Sequence, residues 1–143
     1  MTQRRKVAIL GGNRIPFARS NKEYSSASNQ DMLTAALNGL VARYGLQDER
    51  VGQVTAGAVL KHSRDFSLTR ECVLGSPLDS QTPGTDIQMA CGTGIAAAVH
   101  VADAIAAGRI ESGIAGGVDT TSDAPLAVGD RLRRTLLELS RAK

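Results

Sequence analysis

"TDIQMACGTGIAAAVHVADAIAAG", residues Thr85–Gly108, joins a short apolar run to a long alanine-rich segment, with Cys91 at the junction. The run Ile87–Ala90 predicts a short strand, and the segment after the cysteine predicts a helix that ends at Gly108. A second apolar run, "SGIAGGV" at residues 112–118, predicts another strand. Strand, helix and strand at this spacing predict a βαβ unit, hence a parallel sheet with a right-handed crossover.

The predicted helix after Cys91 carries one apolar face, formed by Ile95, Val99, Ala102 and Ala106, with Ala98 and Ile105 beside it. Upstream, apolar residues recur with helical spacing at Leu33, Ala36, Leu37, Leu40, Val41 and Tyr44. Ser28 or Asn29 can cap the start of this upstream helix, and Gly45 lies where a glycine commonly ends one. Both segments predict amphipathic helices that cover a sheet.

The other predicted elements are shorter or less regular. They are a buried strand at Val7–Leu10, a long loop at residues 11–30, a strand at Val51–Leu60, a short helix at Leu68–Leu74 and a closing amphipathic helix marked by Leu132, Leu136 and Leu139. The loop at 11–30 exceeds the usual length of a connection, and loops of that length usually carry function or are held by a partner.

Composition excludes several classes of function. The chain has 143 residues, the length of one ordinary domain, and 42% of them are hydrophobic. Aromatic residues are only 3% and the net charge is +3, which argues against base stacking and against a nucleic-acid partner. Two cysteines make no disulfide framework, so we expect a reducing, cytoplasmic location. No stretch is long enough to span a membrane, and the run Val7–Leu10 is too short for a signal peptide.

Cys91 has three possible roles. A cysteine that follows a strand and begins a helix lies where open α/β sheets usually place their sites, and the helix N-terminus favours a thiolate. Gly92 and Gly94 remove side chains around the sulfur, and nearby backbone N–H groups can stabilise an oxyanion. Cys91 is then a nucleophile that forms an acyl intermediate. The alternative is a small buried residue without chemistry.

The third possibility is a dinucleotide site. Gly92–Ala97 fits the G-x-G-x-x-G/A spacing after a strand, and Asp119 follows the next strand. The pattern is common in alanine- and glycine-rich sequence, and Asp119 lies far from the glycines for a residue that binds a ribose. An oxidoreductase that binds a dinucleotide stays open as an alternative.

Several segments together resemble one family, the thiolases. "MACGTGIAAAVHVADAIAAGRIESGIAGGVDTTSDAPL", residues 89–126, is similar to the segment that holds the thiolase nucleophile and the following "AGG" strand, acidic residue and Ser/Thr-rich turn. "RIPFARS" at 14–20 is similar to the R-T-P-F segment of the family, and "NQDMLTAALNGLVARYGL" at 29–46 to its first helix. "NKEYSSASNQDM" at 21–32 and "RLRRTLLELSRAK" at 131–143 most resemble β-oxidation thiolases that partner a hydratase/dehydrogenase.

The resemblance implies a fold and a reaction. The fold is the αβαβα-layered thiolase fold, with residues 1–143 as an incomplete N-terminal half-domain whose mixed, largely parallel sheet is covered by helices, and with 123–143 as the start of the loop region. The reaction is thiolytic cleavage of a 3-ketoacyl-CoA, or the reverse Claisen condensation, as in fatty acid β-oxidation. Cys91 takes the acyl group and its backbone N–H is one oxyanion donor. Acyl-CoA and coenzyme A are substrates, no cofactor or metal is required, and a homodimer or homotetramer is implied.

Two family segments have no match in this chain. They are the Gly-His-Pro segment, whose histidine activates the nucleophile, and the C-x-G segment, whose cysteine moves the proton. His100 lies nine residues beyond Cys91, a helical rise of about 13 Å, so we expect it to face solvent. We expect His62 to be a surface residue and Cys72 to be buried and inert. A catalytically inactive thiolase fragment, or a module that pairs with another thiolase-like chain, therefore stays open beside the acyltransferase.

Overall fold

A computed structural model describes residues 5–142 of the chain. The elements in chain order are α1 Asn29–Tyr44, β1 Val54–Ala56, a short 3₁₀ helix Ser63–Asp65, α2 Leu68–Leu74, β2 Gly84–Asp86, α3 Thr93–Ala106, β3 Ile114–Ala115 and α4 Asp130–Arg141. This order alternates strands with helices, as the βαβ pattern predicts.

The three strands form one sheet in the order β2-β1-β3, and both pairings are parallel. Val54 of the central strand lies opposite Gly84 on one side and Ile114 on the other. Helix α3 makes the crossover from β2 to β3, which confirms the predicted βαβ unit. The resemblance implies a mixed, largely parallel sheet, whereas the strands within residues 5–142 are all parallel.

Two predicted strands differ in their bounds. The apolar run Ile87–Ala90 predicts a strand, but β2 lies just before it at the polar Gly84–Asp86. Of this run, only Ile87 continues the hydrogen bonding between β2 and β1: its N–H donates to the Ala56 carbonyl at 2.9 Å. Val51–Leu60 contracts to the three residues of β1, all of them buried. Register is decided by which backbone groups meet across the sheet, and a side-chain pattern alone does not encode those partners.

The prediction of a buried strand at Val7–Leu10 is wrong for this structure. The segment forms no strand, and Ile9 and Leu10 are 93% and 89% exposed. A short apolar run favours burial but does not specify a pairing edge. Nearby, the N–H of Arg5 donates to the Ala106 carbonyl at 3.2 Å.

The predicted ends of α1 are confirmed. Ser28 accepts a hydrogen bond from the N–H of Asp31, and the Asp31 side chain accepts one from the N–H of Ser28, which is a capping box. The N–H and the hydroxyl of Ser28 both donate to the Asp31 carboxylate, and these two hydrogen bonds hold the pKa of Asp31 below its usual value. Gly45 ends the helix in the left-handed region, with φ of 62°, which a glycine adopts without a steric penalty. The predicted helix at Leu68–Leu74 is also confirmed, with the same bounds.

The face of α3 that packs against the sheet is not the one that its larger apolar side chains predict. Its buried residues are Thr93, Ala97, Val101 and Ala104. Ile95 and Val99 are 72% and 55% exposed. Small residues face the sheet because the helix packs closely over it. None of the residues of α4 is buried, although the predicted helix forms. The assignment of 123–143 to a loop region stays a prediction.

Asp86, the last residue of the edge strand β2, joins this strand to the loop after β1 and to α2. Its carboxylate accepts hydrogen bonds from the Lys61 ammonium at 2.9 Å and from the N–H of Thr69 at 2.8 Å. Burial by itself raises the pKa of Asp86, but the hydrogen bonds from Lys61 and Thr69 and the charge of Lys61 outweigh it, so the pKa lies below its ordinary value.

Asp86→Asn is expected to lower the free energy of unfolding by about 1.5–3 kcal/mol at pH 7, because a partly buried, charge-assisted hydrogen bond is lost. The folded pKa is lower than the unfolded one. The contribution of Asp86 is therefore fully present above about pH 4 and is lost as pH falls through the folded pKa. Urea unfolding at pH 3 to 7 should show the two proteins converging at low pH, while exposed Asp103→Asn stays close to the parent. A difference that is constant down to pH 3 would contradict this role.

Candidate active site

The segments that follow the three parallel strands meet at one edge of the sheet. Asp119, beyond β3, binds the segment beyond β1: its two carboxylate oxygens accept hydrogen bonds from the N–H groups of Val59 and Leu60, each at 3.0 Å. The N–H of Val118 donates to the Gly57 carbonyl at 3.0 Å. In parallel α/β sheets this carboxyl edge is the usual place for a site. These hydrogen bonds join the segments that follow β1 and β3 at the carboxyl edge of the sheet, where α3 also begins.

Cys91 lies at this edge, exposed, directly before the N-cap residue Gly92 of α3. The preceding residue, Ala90, has φ of 42°. Positive φ is uncommon for a residue with a Cβ, costs roughly 1–3 kcal/mol, and clusters at functional sites. The turn therefore uses an unfavourable backbone conformation to present the cysteine at the helix start. The predicted position of Cys91 between sheet and helix is confirmed, and its predicted role as nucleophile stays a prediction.

Backbone donors at the start of α3 remain available to a ligand. Within residues 5–142, the N–H groups of Gly94 and Ile95 have no hydrogen-bond acceptor, whereas the N–H of Ala96 donates to the Gly92 carbonyl at 2.9 Å. The space where a side chain at Gly94 would lie is open. Free N–H groups and the positive end of the helix dipole stabilise negative charge. The arrangement suits an oxyanion that forms beside Cys91.

Cys72 has the opposite environment. It is 1% exposed within α2, and its thiol lies 3.6 Å from the Gln30 carbonyl, to which it donates. Burial raises the pKa of the Cys72 thiol. A buried thiol that is kept protonated is a poor nucleophile. The prediction that Cys72 is buried is confirmed.

Neither histidine interacts with the Cys91 thiol, which makes no hydrogen bond within the described part of the chain. His62 is not the simple surface residue that its loop position predicts. Its ring nitrogen Nε2 lies 2.9 Å from the Asp123 carbonyl oxygen and 3.3 Å from the Asp123 carboxylate. His100 is exposed on α3, as expected. The described residues thus place no histidine in a hydrogen bond with the Cys91 thiol.

The geometry does not favour a dinucleotide site. In that motif the glycine turn directly follows the strand and opens the helix. Here β2 ends at Asp86, and Gly92 follows six residues later. Asp119, the residue that would bind a ribose, already accepts two backbone hydrogen bonds.

Two contacts at this edge are not predicted by the sequence. The Asp119 carboxylate joins two loops by accepting hydrogen bonds from the segment after β1. The Thr93 hydroxyl binds the backbone of the turn that carries Cys91. The sequence did contain one signal for Thr93: a residue with a hydroxyl group stands at the first position of the helix that begins just after Cys91. Its partners are backbone groups, which a side-chain pattern does not identify.

The parallel sheet, the α3 crossover and the exposed cysteine at the helix entry define an α/β domain of the kind that places its functional site at the carboxyl edge of its sheet. Comparison with known families matches residues 7–142 to the thiolase N-terminal domain. The chain belongs to the thiolase family.

Curated relatives agree with this assignment. A 3-ketoacyl-CoA thiolase of Photorhabdus laumondii is 37% identical over 138 residues, which are 96% of this chain and 32% of the relative. A 3-ketoacyl-CoA thiolase of Vibrio cholerae is 36% identical over the same shares of the two chains. This chain thus spans about a third of the length of the curated relatives it matches.

A solved structure shows the same fold. The acetyl-CoA acetyltransferase of Bacillus anthracis superposes with a TM-score of 0.72 at 22% identity, over 84% of this chain and 29% of that one. The thiolase-like α/β fold is therefore confirmed. No helix within residues 5–142 combines the length and apolarity needed to cross a bilayer.

Proposed function

We propose that the protein takes part in thiolase chemistry, the transfer of an acyl group between coenzyme A and carbon, with Cys91 as the acyl carrier. The observation that carries the proposal is the exposed Cys91 directly before the N-cap of α3, beside the N–H groups of Gly94 and Ile95, which have no acceptor within residues 5–142. Membership of the thiolase family supports the reaction class.

The acyl-transfer step needs few groups. The Cys91 thiolate attacks the carbonyl carbon of an acyl-CoA thioester, and a bond forms between Sγ and that carbon. The negative charge that develops on the carbonyl oxygen is stabilised by backbone N–H groups at the start of α3. The carbonyl re-forms as the bond to the CoA sulfur breaks, and CoA leaves as its thiolate, which takes up a proton from solvent. The acyl group remains as a thioester on Cys91.

The finer assignments belong to the same proposal. The names of the relatives support a 3-ketoacyl-CoA as substrate. Coenzyme A as the second substrate, and a reaction without a further cofactor, rest on the family resemblance of the sequence. A homodimer or homotetramer, and a hydratase/dehydrogenase partner, rest on the family resemblance of the sequence. A cytoplasmic location is supported by two cysteines that are both unpaired.

Incubation of the protein with acetyl-CoA tests the proposal directly. Slow addition of one acetyl group is expected, located on Cys91 by peptide mass spectrometry, because the residue supplies the nucleophile and the helix start supplies oxyanion donors. Cys91→Ser should lose the adduct, since a serine hydroxyl is protonated at neutral pH. Cys72→Ala should keep it. An unmodified parent protein, or equal acetylation of Cys91→Ser, would refute Cys91 as acyl carrier.

A further inference from the structure

The side chain of Thr93 is built into the turn that precedes it. Thr93 is the first residue of α3 and is 5% exposed. Its hydroxyl donates to the Ala90 carbonyl at 2.7 Å and accepts from the N–H of Met89 at 3.0 Å. One hydroxyl thus binds a donor and an acceptor on the two residues immediately before Cys91.

This turn needs such support because its backbone is unfavourable. Ala90 has φ of 42°, which persists only where the surrounding structure holds it. Two backbone bonds close the turn: the N–H of Gly92 donates to the Met89 carbonyl at 2.8 Å, and the N–H of Thr93 donates to the Ala90 carbonyl at 3.1 Å. The N–H of Met89 has only the Thr93 hydroxyl as its acceptor within the described residues.

The methyl group of Thr93 packs against the end of the central strand. Its Cγ2 atom lies 3.1 Å from the point that a Cβ on Gly57 would occupy, so the methyl packs on the backbone at the end of the central strand. Thr93 therefore contacts both the sheet edge and the cysteine turn. Movement of the turn away from the helix start would break its two side-chain hydrogen bonds together.

We propose that Thr93 is a positioning residue: its hydroxyl locks residues 89–91 in the turn that presents the Cys91 thiol at the N-terminus of α3. The lock serves the proposed acyl transfer, and to that extent it rests on the proposed function. It concerns the geometry of the thiol, however, and can be measured without a CoA thioester.

Two readouts on the full 143-residue chain test the lock. The first is the rate of alkylation of Cys91 by iodoacetamide at pH 7, with buried Cys72 as an internal reporter of general unfolding. The second is the amide hydrogen exchange of Met89, with the N–H of Val54, which donates to Pro83, as the reference. Three variants are compared. Thr93→Val removes the hydroxyl and keeps the branched shape of the side chain, Thr93→Ala removes both, and Thr93→Ser keeps the hydroxyl.

Thr93→Val and Thr93→Ala are expected to slow Cys91 alkylation about three- to tenfold, because the turn no longer holds the thiol in its exposed position at the start of α3. Met89 exchange should rise about two- to tenfold with the loss of its acceptor. Cys72 labelling and Val54 exchange should not change, and Thr93→Ser should restore both readouts. Thr82→Val is the matched control, because Thr82 is also a fully buried threonine but its hydroxyl has no partner within the described residues.

Parent-like alkylation and exchange in both Thr93→Val and Thr93→Ala would overturn the lock. So would a loss that Cys72 labelling follows in parallel, or a loss that Thr93→Ser does not restore, because each indicates general destabilisation. Failure of the parent protein to accept acetyl groups would overturn the proposed function and leave this proposal standing, since neither readout involves acyl transfer.

Discussion

Acetoacetyl-CoA is expected to undergo no measurable thiolysis with the 143-residue chain alone. Making or breaking the carbon–carbon bond requires a base at the α-carbon, and general-base help is typically worth about 10²–10⁴ in rate. Within the described residues no group forms a hydrogen bond with the Cys91 thiol, and the ring of His62 is bound to Asp123. We therefore expect this chain to transfer an acyl group to Cys91 without making or breaking the carbon–carbon bond.

A mixing experiment makes this prediction specific. A separately expressed C-terminal thiolase segment that carries the Gly-His-Pro and C-x-G motifs of the family is expected to restore thiolysis when it is added. The mixture made with Cys91→Ser should stay inactive, which excludes activity carried by the added segment. Steady thiolysis by the 143-residue chain alone, followed by the absorbance of acetoacetyl-CoA, would show that its own residues supply the base.

Among the glycine-to-alanine substitutions within residues 5–142, Gly57→Ala is expected to be the most destabilising. A Cβ at Gly57 would lie 1.8 Å from the carbonyl oxygen of Ile87 and 3.0 Å from its carbonyl carbon. These are backbone atoms, and the N–H of Ile87 is held by the Ala56 carbonyl at 2.9 Å. Because this contact cannot be relieved by a side-chain rotation, we expect a loss of about 3 kcal/mol or more in the free energy of unfolding.

Gly116→Ala is the matched control for that substitution. Gly116 lies directly after β3, as Gly57 lies directly after β1, but nothing is within 4 Å of the point where its Cβ would be. Gly116→Ala should change the free energy of unfolding by no more than about 0.5 kcal/mol. Urea unfolding of both variants measures the difference, and insolubility of Gly57→Ala alone would agree with it. Equal stability of the two variants would mean that the sheet edge yields more easily than its contacts indicate.

The helices of this protein are predictable from local sequence. Periodic apolar residues and the capping signals at Ser28 and Gly45 place α1, and Leu68–Leu74 forms a helix with the predicted bounds. These signals are local, because a helix makes its hydrogen bonds within one segment. The same reasoning places Cys91 before a helix, since glycine and alanine follow it in the chain.

Contacts between segments were decided only by the tertiary structure. The apolar runs at Val7–Leu10 and Ile87–Ala90 predict strands, yet the sheet is formed by other residues, because a strand needs a partner of the right register and a pattern does not name one. Likewise, Ile95 and Val99 predict an apolar face, but α3 turns its small residues to the sheet. The bond from the Thr93 hydroxyl to the Ala90 carbonyl also exists only after the turn has formed. The sequence by itself therefore determined the family, the helices and the position of the cysteine. The folded chain decided register, buried faces and the support of the cysteine turn, because those depend on groups brought together from separate segments.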